Sequence, residues 1–513
     1  MPAELHTIQA DPTQAELTGS PGVLTGSPGV LSAIPGELDR RMERMVRQVQ
    51  AEARVPAISV ALHRADRPAW SCAVGGGGGS APLGPQTQFR IGSVTKTCTA
   101  VLVLQCRDDG LLDLDDPVGR HLDLPAHGEL TVRRLLSHTA GLQREPYGDV
   151  WDTLRSPGLD ELLADLARAE RVLPPTRRFH YSNLGPALLG QLVGRLRGGS
   201  WAEILTDRVL APLGLHRTTV EPGPDAATGF LVDAYSDHAR PEPRLDLAAV
   251  GPAAALWSTA GEMARWAAFL ADPAAVDPTG SVLRAATLDE MRWPVTVTDE
   301  TTWAVGFGLG LILLPQTGTA GPGGPRRAAG AERVLHVGHD GAMPGFLASV
   351  YGRRGGAGTP GAMGCAVLGS SGTAGALLDL THTLLATAAQ DDPARIEPWT
   401  PGEPPPEAYR GLLGRWWGEG FEYVFSWRDG ALRAAGADDP PGKPAAVFAP
   451  LPDRPDTLRT DSGREAGELL RLTRDETGEV VRMHWATYRF TRRQETFDGF
   501  DFRAGEPGAP RVR

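Results

Sequence analysis

FRIGSVTKTCTA, residues 89–100, contains Lys96, one of only two lysines in a chain of 513 residues; the other is Lys443, and arginine supplies nearly all the remaining positive charge. A guanidinium keeps its proton in a protein, whereas a desolvated ammonium can become a neutral base. In so arginine-rich a chain, a lysine marks a place where a removable proton matters. Ser93 stands three residues before it. The strand-like QFRI, residues 88–91, leads to Ser93, which reads as a helix N-cap, and the helix runs through TKTCTAVLVLQCRDDG to a stop at Gly110. Ser93 and Lys96 then share one helical face. A serine hydroxyl is a weak nucleophile until a base lies within hydrogen-bond reach, and a lysine one turn away supplies that base if its charge is suppressed. The helix N-terminus adds outward N–H groups and a positive dipole that stabilise a growing oxyanion.

Upstream, GELDRRMERMVRQVQAEARV spaces Leu38, Met42, Val46 and Val49 at nearly helical intervals, and after Pro56 the alternation of AISVALHR predicts a strand. The run Gly75 to Gly79 has no side chains to pack and predicts a flexible hairpin tip. Residues 17–23 and 24–30 repeat the heptad LTGSPGV in tandem, so 1–35 reads as a disordered leader. Downstream the pattern to about residue 300 is mainly helical, with ELLADLARAERVL, LGPALLGQLVGRLRG and AGEMARWAAFLAD. It then changes to the strands GFGLGLILL, ERVLHVGH, FLASVYG and MGCAVLG, closed by the helix ALLDLTHTLLATAAQ. Strands at both ends with helices between predict one α/β sheet unit over 36–390, completed by the chain's return, plus a helical subdomain, with the site in the cleft between them. The Pro-rich, acidic residues 391–408 read as an extended linker, 409–500 as a separate all-β module, and 501–513 as a flexible tail.

Composition narrows the function classes. A formal charge of −11 without Lys/Arg-rich runs argues against nucleic acid or an anionic membrane as partner and favours a small molecule or peptide. No run approaches the roughly 18 apolar residues of a spanning helix, and the N-terminal stretch has no basic region followed by an apolar one, which predicts a cytoplasmic protein. Four cysteines without a close CxxC pair predict buried thiols rather than a zinc site or disulfides.

Two further stretches carry chemistry. Tyr181-Ser182-Asn183, in RRFHYSNLGPALLG, falls at a helix start, where a phenol beside an ammonium can shuttle the serine proton and a carboxamide can hold a substrate amide. His339-Asp340-Gly341, in VLHVGHDGAMPGF, falls on a strand, with His339 and Gly341 on one face and Asp340 on the other. A glycine there lets a substrate backbone approach closely.

Together and in this order the three motifs resemble the β-lactamase and penicillin-binding-protein-like serine hydrolases, in the branch with Ser-x-x-Lys, Tyr-x-Asn and His-x-Gly. Class C β-lactamases, D-aminopeptidases, bacterial carboxylesterases and stand-alone peptide-cyclising thioesterases belong to that branch. FRIGSVTKTCTA, LLDLDDPVGRHL, LLSHTAGL, FHYSNLGPALLG, LAPLGLHRTT, LWSTAGEMARWAAFL and GHDGAMPGF extend the likeness over about residues 36–390. The resemblance implies an α/β, β-lactamase-like fold, an antiparallel sheet flanked by helices plus a helical subdomain. The C-terminal module is similar to the small lipocalin-like barrel that follows it in some members.

By the same resemblance, Ser93 is the acylated nucleophile and Lys96 and Tyr181 share general base and acid duty. Asn183 orients the substrate, and the N–H groups of Ser93 and Ala342 form the oxyanion hole. His339 occupies the place of the lysine in the Lys-Thr-Gly version of the third motif, and Gly341 admits the substrate. Losing a permanent positive charge there weakens recognition of a β-lactam carboxylate, so peptidase, esterase or acyltransferase activity is expected over antibiotic hydrolysis. The expected substrate is a peptide-like amide, ester or thioester, free or carried by a carrier protein and D-residue-containing. The acyl group passes to water, or to an amine as in thioesterases that cyclise nonribosomal peptides. A non-catalytic binding protein is the alternative from another class, but it would have lost one of Ser93, Lys96 or Tyr181.

Other signals are weaker. An odd spacing places His336 and His339 on opposite faces of a strand, so no metal pair and no cofactor is expected. Gly356 to Gly361 fits GxGxxG but contains Pro360 and precedes a strand, so it reads as a turn. His138 reads as structural. Arg489, Arg492 and Arg493 of the C-terminal module can reach a substrate carboxylate, with Arg492 the candidate.

Overall fold

The structure, a computed structural model, describes residues 34–76, 82–175, 178–317, 333–354, 361–391, 402–418, 420–439 and 443–494. The predicted leader up to residue 33, Gly77 to Gly79, residues 356–360 of the predicted Gly356–Gly361 turn, linker residues 392–401 and the tail 501–513 lie outside the described residues.

Eight strands form one sheet: β1 (Ala57–Arg64), β2 (Arg67–Gly75), β3 (Thr296–Val297), β4 (Gly306–Phe307), β5 (Ile312–Thr317), β6 (Arg333–Met343), β7 (Phe346–Arg353) and β8 (Met363–Gly369). They are ordered β2-β1-β8-β7-β6-β5-β4-β3, with every neighbouring pair antiparallel. Period-two alternation sends the side chains of β1 to opposite faces. Ile58, Val60 and Leu62 join Leu38, Met42 and Val46 of helix α1 (Gly36–Glu52), while Ala57 and Ala61 join a second core. Each such large side chain is worth about 1.5–3 kcal/mol buried rather than exposed.

Helices cover both faces. The central helix of the chain, α2 (Thr95–Asp108), is followed by α3 (Leu184–Arg197), α4 (Ala260–Ala271) and α5 (Ala376–Asp391). α1 and α5 pack on one face of the sheet, α4 on the other. α4 sits close enough that a Cβ on Gly364 would lie 1.9 Å from the Ala264 carbonyl oxygen. α2 is buried on every side from Thr95 to Cys106, a helix apolar all round rather than amphipathic, and packs against α3 in the helical region. Among the described residues no helix is long and apolar enough to cross a membrane.

Three expectations need correction. β1 and β2 turn at Ala65-Asp66, and Gly75 pairs with Ala57 at the far end of β2, so Gly75 is not a hairpin tip. GFGLGLILL is not one strand: at Gly310, φ +77°, it turns back so that Phe307 pairs with Ile312. Ser93 does not cap α2 with its side chain; it lies in a 3₁₀ turn, Gly92–Val94, that feeds the helix, and its hydroxyl is used elsewhere.

The C-terminal strands β9 (Gly414–Gly418), β10 (Phe421–Arg428), β11 (Ala431–Gly436), β12 (Ala446–Leu451), β13 (Arg454–Ser462), β14 (Leu469–Arg474), β15 (Val480–Trp485) and β16 (Tyr488–Thr491) close into a barrel. Closure pairs Trp417 with Thr491 and Gly418 with Phe490. Trp416, Phe425, Phe448, Trp485 and Phe490 fill its interior, with Phe425 and Phe448 stacked at 5.9 Å. Of the cysteines, Cys98, Cys106 and Cys365 are buried and Cys72 is partly exposed, all as free thiols.

Candidate active site

From Thr87 to Cys106 every residue is buried except Ser93. Gly92, at φ +50°, turns the chain just before it, after the short strand Phe89–Arg90 that pairs with Trp257–Ser258. Strand β6 runs directly against this turn. A Cβ on Gly92 would lie 2.8 Å from the Ala342 backbone nitrogen, and one on Gly341 only 1.9 Å from the Ile91 carbonyl oxygen and 3.3 Å from the Ser93 nitrogen. Two glycines therefore bring the Ser93 and Ala342 amides together in one corner of a cleft of about 750 Å³.

Lys96, 2% exposed, donates to Ser93 Oγ at 2.9 Å, Asn183 Oδ1 at 2.7 Å and the Ala253 carbonyl at 2.9 Å. Burial brings its pKa down to about 7; nearby Glu145 raises it and Arg144 lowers it further. A neutral amine here keeps two donors for Asn183 and Ala253 and turns its lone pair to the Ser93 proton. Tyr181 shares a hydrogen bond with Ser93, its ring 4.9 Å from the Lys96 ammonium. Burial pushes the Tyr181 pKa up, so the phenol keeps its proton.

His339, 2% exposed, lines the cleft from β6. Its Nδ1 donates to the Asp340 carbonyl at 2.5 Å, and among the described residues Nε2 has no partner. Burial, then the neighbouring Lys96, pushes its pKa down to about 3, so the ring is a neutral acceptor where a substrate N–H or O–H can bind. His336 points to the other side of β6, its Nδ1 2.9 Å from His382 Nδ1 on α5. Asp340 also turns that way and accepts from the Tyr351 hydroxyl at 2.9 Å.

His138 stacks 4.5 Å from Tyr181, and its Nδ1 accepts the Ser182 N–H at 3.2 Å. It thus holds the Tyr181 ring in place from behind. The residue missed from sequence is Glu145. Its carboxylate accepts the Asn183 Nδ2–H at 2.7 Å, which fixes the amide with its oxygen toward Lys96. Burial raises its pKa, opposed by Asn183, Arg144 and Lys96. Nothing in the sequence around it is a motif.

Ser93, Lys96, Tyr181, Asn183, His339, Gly341 and Ala342 are thus brought together. Arg492 is not. Its guanidinium donates to the Gly411, Leu413 and Arg415 carbonyls and lies 4.0 Å over the Trp416 ring, within the barrel.

The family model for beta-lactamase matches residues 42–412. The chain belongs to the beta-lactamase family. A second model, a domain of unknown function (DUF7586), matches 405–492, the barrel. Penicillin-binding protein 4 of Amycolatopsis lactamdurans is 33% identical over 269 residues, covering 48% of this chain and 68% of that protein. The D-alanyl-D-alanine-carboxypeptidase/endopeptidase AmpH of Escherichia coli (strain K12) is 27% identical over 190 residues, 34% of this chain and 47% of AmpH. Two solved structures share the fold. SurE has a TM-score of 0.54 at 24% identity, covering 89% of this chain and 99% of SurE. D-amino acid amidase from Ochrobactrum anthropi SV3 has a TM-score of 0.54 at 22% identity, covering 69% and 98%. Relatives of this beta-lactamase-family chain include a carboxypeptidase/endopeptidase, and it is an enzyme of the serine hydrolase class.

Proposed function

We propose that the enzyme forms an acyl-Ser93 intermediate from a peptide-like amide, ester or thioester and passes the acyl group to water or an amine. The observation that carries this is the Lys96 ammonium, buried to a pKa of about 7 with Nζ 2.9 Å from Ser93 Oγ. As the neutral amine, Lys96 takes the Ser93 proton while Oγ bonds the acyl carbon, and the oxyanion is held between the Ser93 and Ala342 N–H groups. Tyr181, still protonated, gives its proton to the leaving nitrogen, oxygen or sulfur and is reprotonated by the Lys96 ammonium, which holds the proton taken from Ser93. Asn183 and the free Nε2 of His339 position the substrate. Attack by water or an amine then releases the acid or the amide and regenerates the Ser93 hydroxyl.

A D-residue on the acyl side is the preferred substrate, a reading supported by the D-amino acid amidase and D-alanyl-D-alanine-carboxypeptidase relatives. Cyclisation by the peptide's own amine is the finer form of the proposal, with the peptide delivered as a thioester or on a carrier protein. Arg492 stays a substrate-contact candidate only if it leaves its three carbonyls. The test is intact-protein mass spectrometry with a peptidyl thioester ending in a D-residue, a p-nitrophenyl ester and a β-lactam, beside Ser93→Ala. An adduct absent from the variant supports acyl-Ser93, and cyclic or linear product separates amine from water. An adduct of equal yield in Ser93→Ala overturns the assignment.

A further inference from the structure

The segment 246–255 is a wall with a cavity on each side. Leu247, Val250, Ala253 and Ala254 line the catalytic cleft, whereas Ala248, Ala249, Gly251, Pro252 and Ala255 line a second cavity of about 690 Å³. Leu122, Leu159, Leu163, Trp201 and Val220 make the rest of that second surface largely apolar. Its volume lies within the range of small-molecule sites, roughly 300–1,000 Å³.

Two charged residues line it. Asp246 is engaged: its carboxylate accepts the Ala248 N–H at 2.9 Å and supports the charge of the buried Arg90. Arg195 on α3 is exposed, and among the described residues no hydrogen bond or ion pair holds its guanidinium. The charge left to complement is therefore positive, beside apolar walls.

We infer that this cavity binds a small amphipathic anion, an apolar chain of medium length ending in a carboxylate, and that its occupancy is felt at Lys96. The chain leaves water for the apolar walls, gaining about 25 cal/mol per Å² covered, and the carboxylate pairs with Arg195. The wall itself supplies the coupling. Ala253 accepts a Lys96 N–H, and the neighbouring Pro252 carbonyl accepts the Thr99 hydroxyl at 2.7 Å. Thr99 in turn accepts the indole N–H of Trp201, which lines the second cavity, at 3.1 Å. Gln191 ties α3 to the same wall through the Ala249 carbonyl at 3.0 Å. A ligand that shifts the wall moves one of the three acceptors that hold Lys96 Nζ, and with it the packing whose burial lowers the Lys96 pKa. The binding half is independent of the proposed reaction; the coupling half rests on it.

The test uses the full chain with decanoate, and decanol as the uncharged arm, followed by calorimetry and Trp fluorescence. Decanoate is expected to bind, Arg195→Gln to weaken it about tenfold while leaving decanol unchanged, and Leu163→Trp to abolish both by filling the cavity. Ala202→Leu serves as the filling variant if Leu163→Trp fails to fold. No binding of decanoate to the unaltered chain, or binding undiminished in the filled variant, overturns the site. For the coupling, saturating decanoate is expected to shift the pH midpoint of p-nitrophenyl ester turnover in the unaltered chain and not in Leu163→Trp. A midpoint unmoved by bound decanoate overturns the coupling and leaves the proposed function standing, whereas no Ser93 adduct at any pH sinks that function without touching the binding result.

Discussion

The Lys96 ammonium and the Glu145 carboxylate are linked through a single amide: Asn183 accepts from Lys96 at 2.7 Å and donates to Glu145 at 2.7 Å. The carboxylate raises the Lys96 pKa without holding its proton. In Glu145→Gln the amide oxygen still accepts from Asn183, but the negative charge is gone and the ammonium is easier to deprotonate. The acid limb of kcat/KM against pH is expected to move to lower pH, by up to about one unit. An unmoved limb would remove Glu145 from the electrostatics of the base.

The unaltered enzyme should gain activity as pH rises through about 7, where Lys96 loses its proton. Lys96→Arg cannot follow, because a guanidinium keeps its proton. Acylation by a p-nitrophenyl ester is expected to fall about a thousandfold in stopped-flow kinetics. Near-normal acylation in Lys96→Arg would transfer the base role to Tyr181.

The same buried lysine predicts a stability slope. Its folded pKa lies below its unfolded value, so between about pH 7 and pH 10 the unfolded chain binds a proton that the folded chain does not. Stability relative to Lys96→Met should rise with pH across that window and flatten below about 7. Denaturant melts at pH 6, 7, 8 and 9.5 read the difference, and a difference independent of pH would mean that Lys96 folds with its ordinary pKa.

Gly341→Ala places a Cβ 1.9 Å from the Ile91 carbonyl oxygen and so drives β6 away from the Ser93 turn. With the two amides separated, the acylation rate is expected to fall about a hundredfold or more. The melting temperature should fall as well. Normal acylation would show that the Ala342 N–H is not needed.

Arg492→Ala distinguishes two roles. Losing three carbonyl contacts and the Trp416 stack is expected to lower barrel stability by about 1–3 kcal/mol with kcat/KM preserved. A raised KM with an unchanged melt would return Arg492 to the substrate.

The legible parts of this molecule were those where chemistry and local spacing agree. Ser93 and Lys96 are three residues apart on one turn, so a sequence shows their meeting, and the alternation in AISVALHR shows which residues face which core. Glu145 was invisible because its role depends on which way the Asn183 amide faces, a choice made by residues 38 positions apart. Ser93 was misread as a cap because serine favours that position by propensity, while here the hydroxyl is drawn to Lys96 and Tyr181 instead. The glycines from 75 onward outweighed Ala65-Asp66 as a turn signal, yet two residues suffice to reverse a strand. Wall 246–255 had no local signature at all, being defined only by the two spaces it separates.

One feature of the sheet reaches back to synthesis. β1 lies between β2 and β8, and Ile58 pairs with Gly369, about 300 residues later in the chain. At translation speeds of roughly 5–20 residues per second, the first hairpin emerges from the ribosome tens of seconds before the strand that covers its inner edge. β6, with His339 and Ala342, arrives in the same late interval. The nascent chain therefore has a long window with a bare strand edge and no assembled catalytic corner, so its yield should depend more on chaperones at that stage than on the stability of the finished fold.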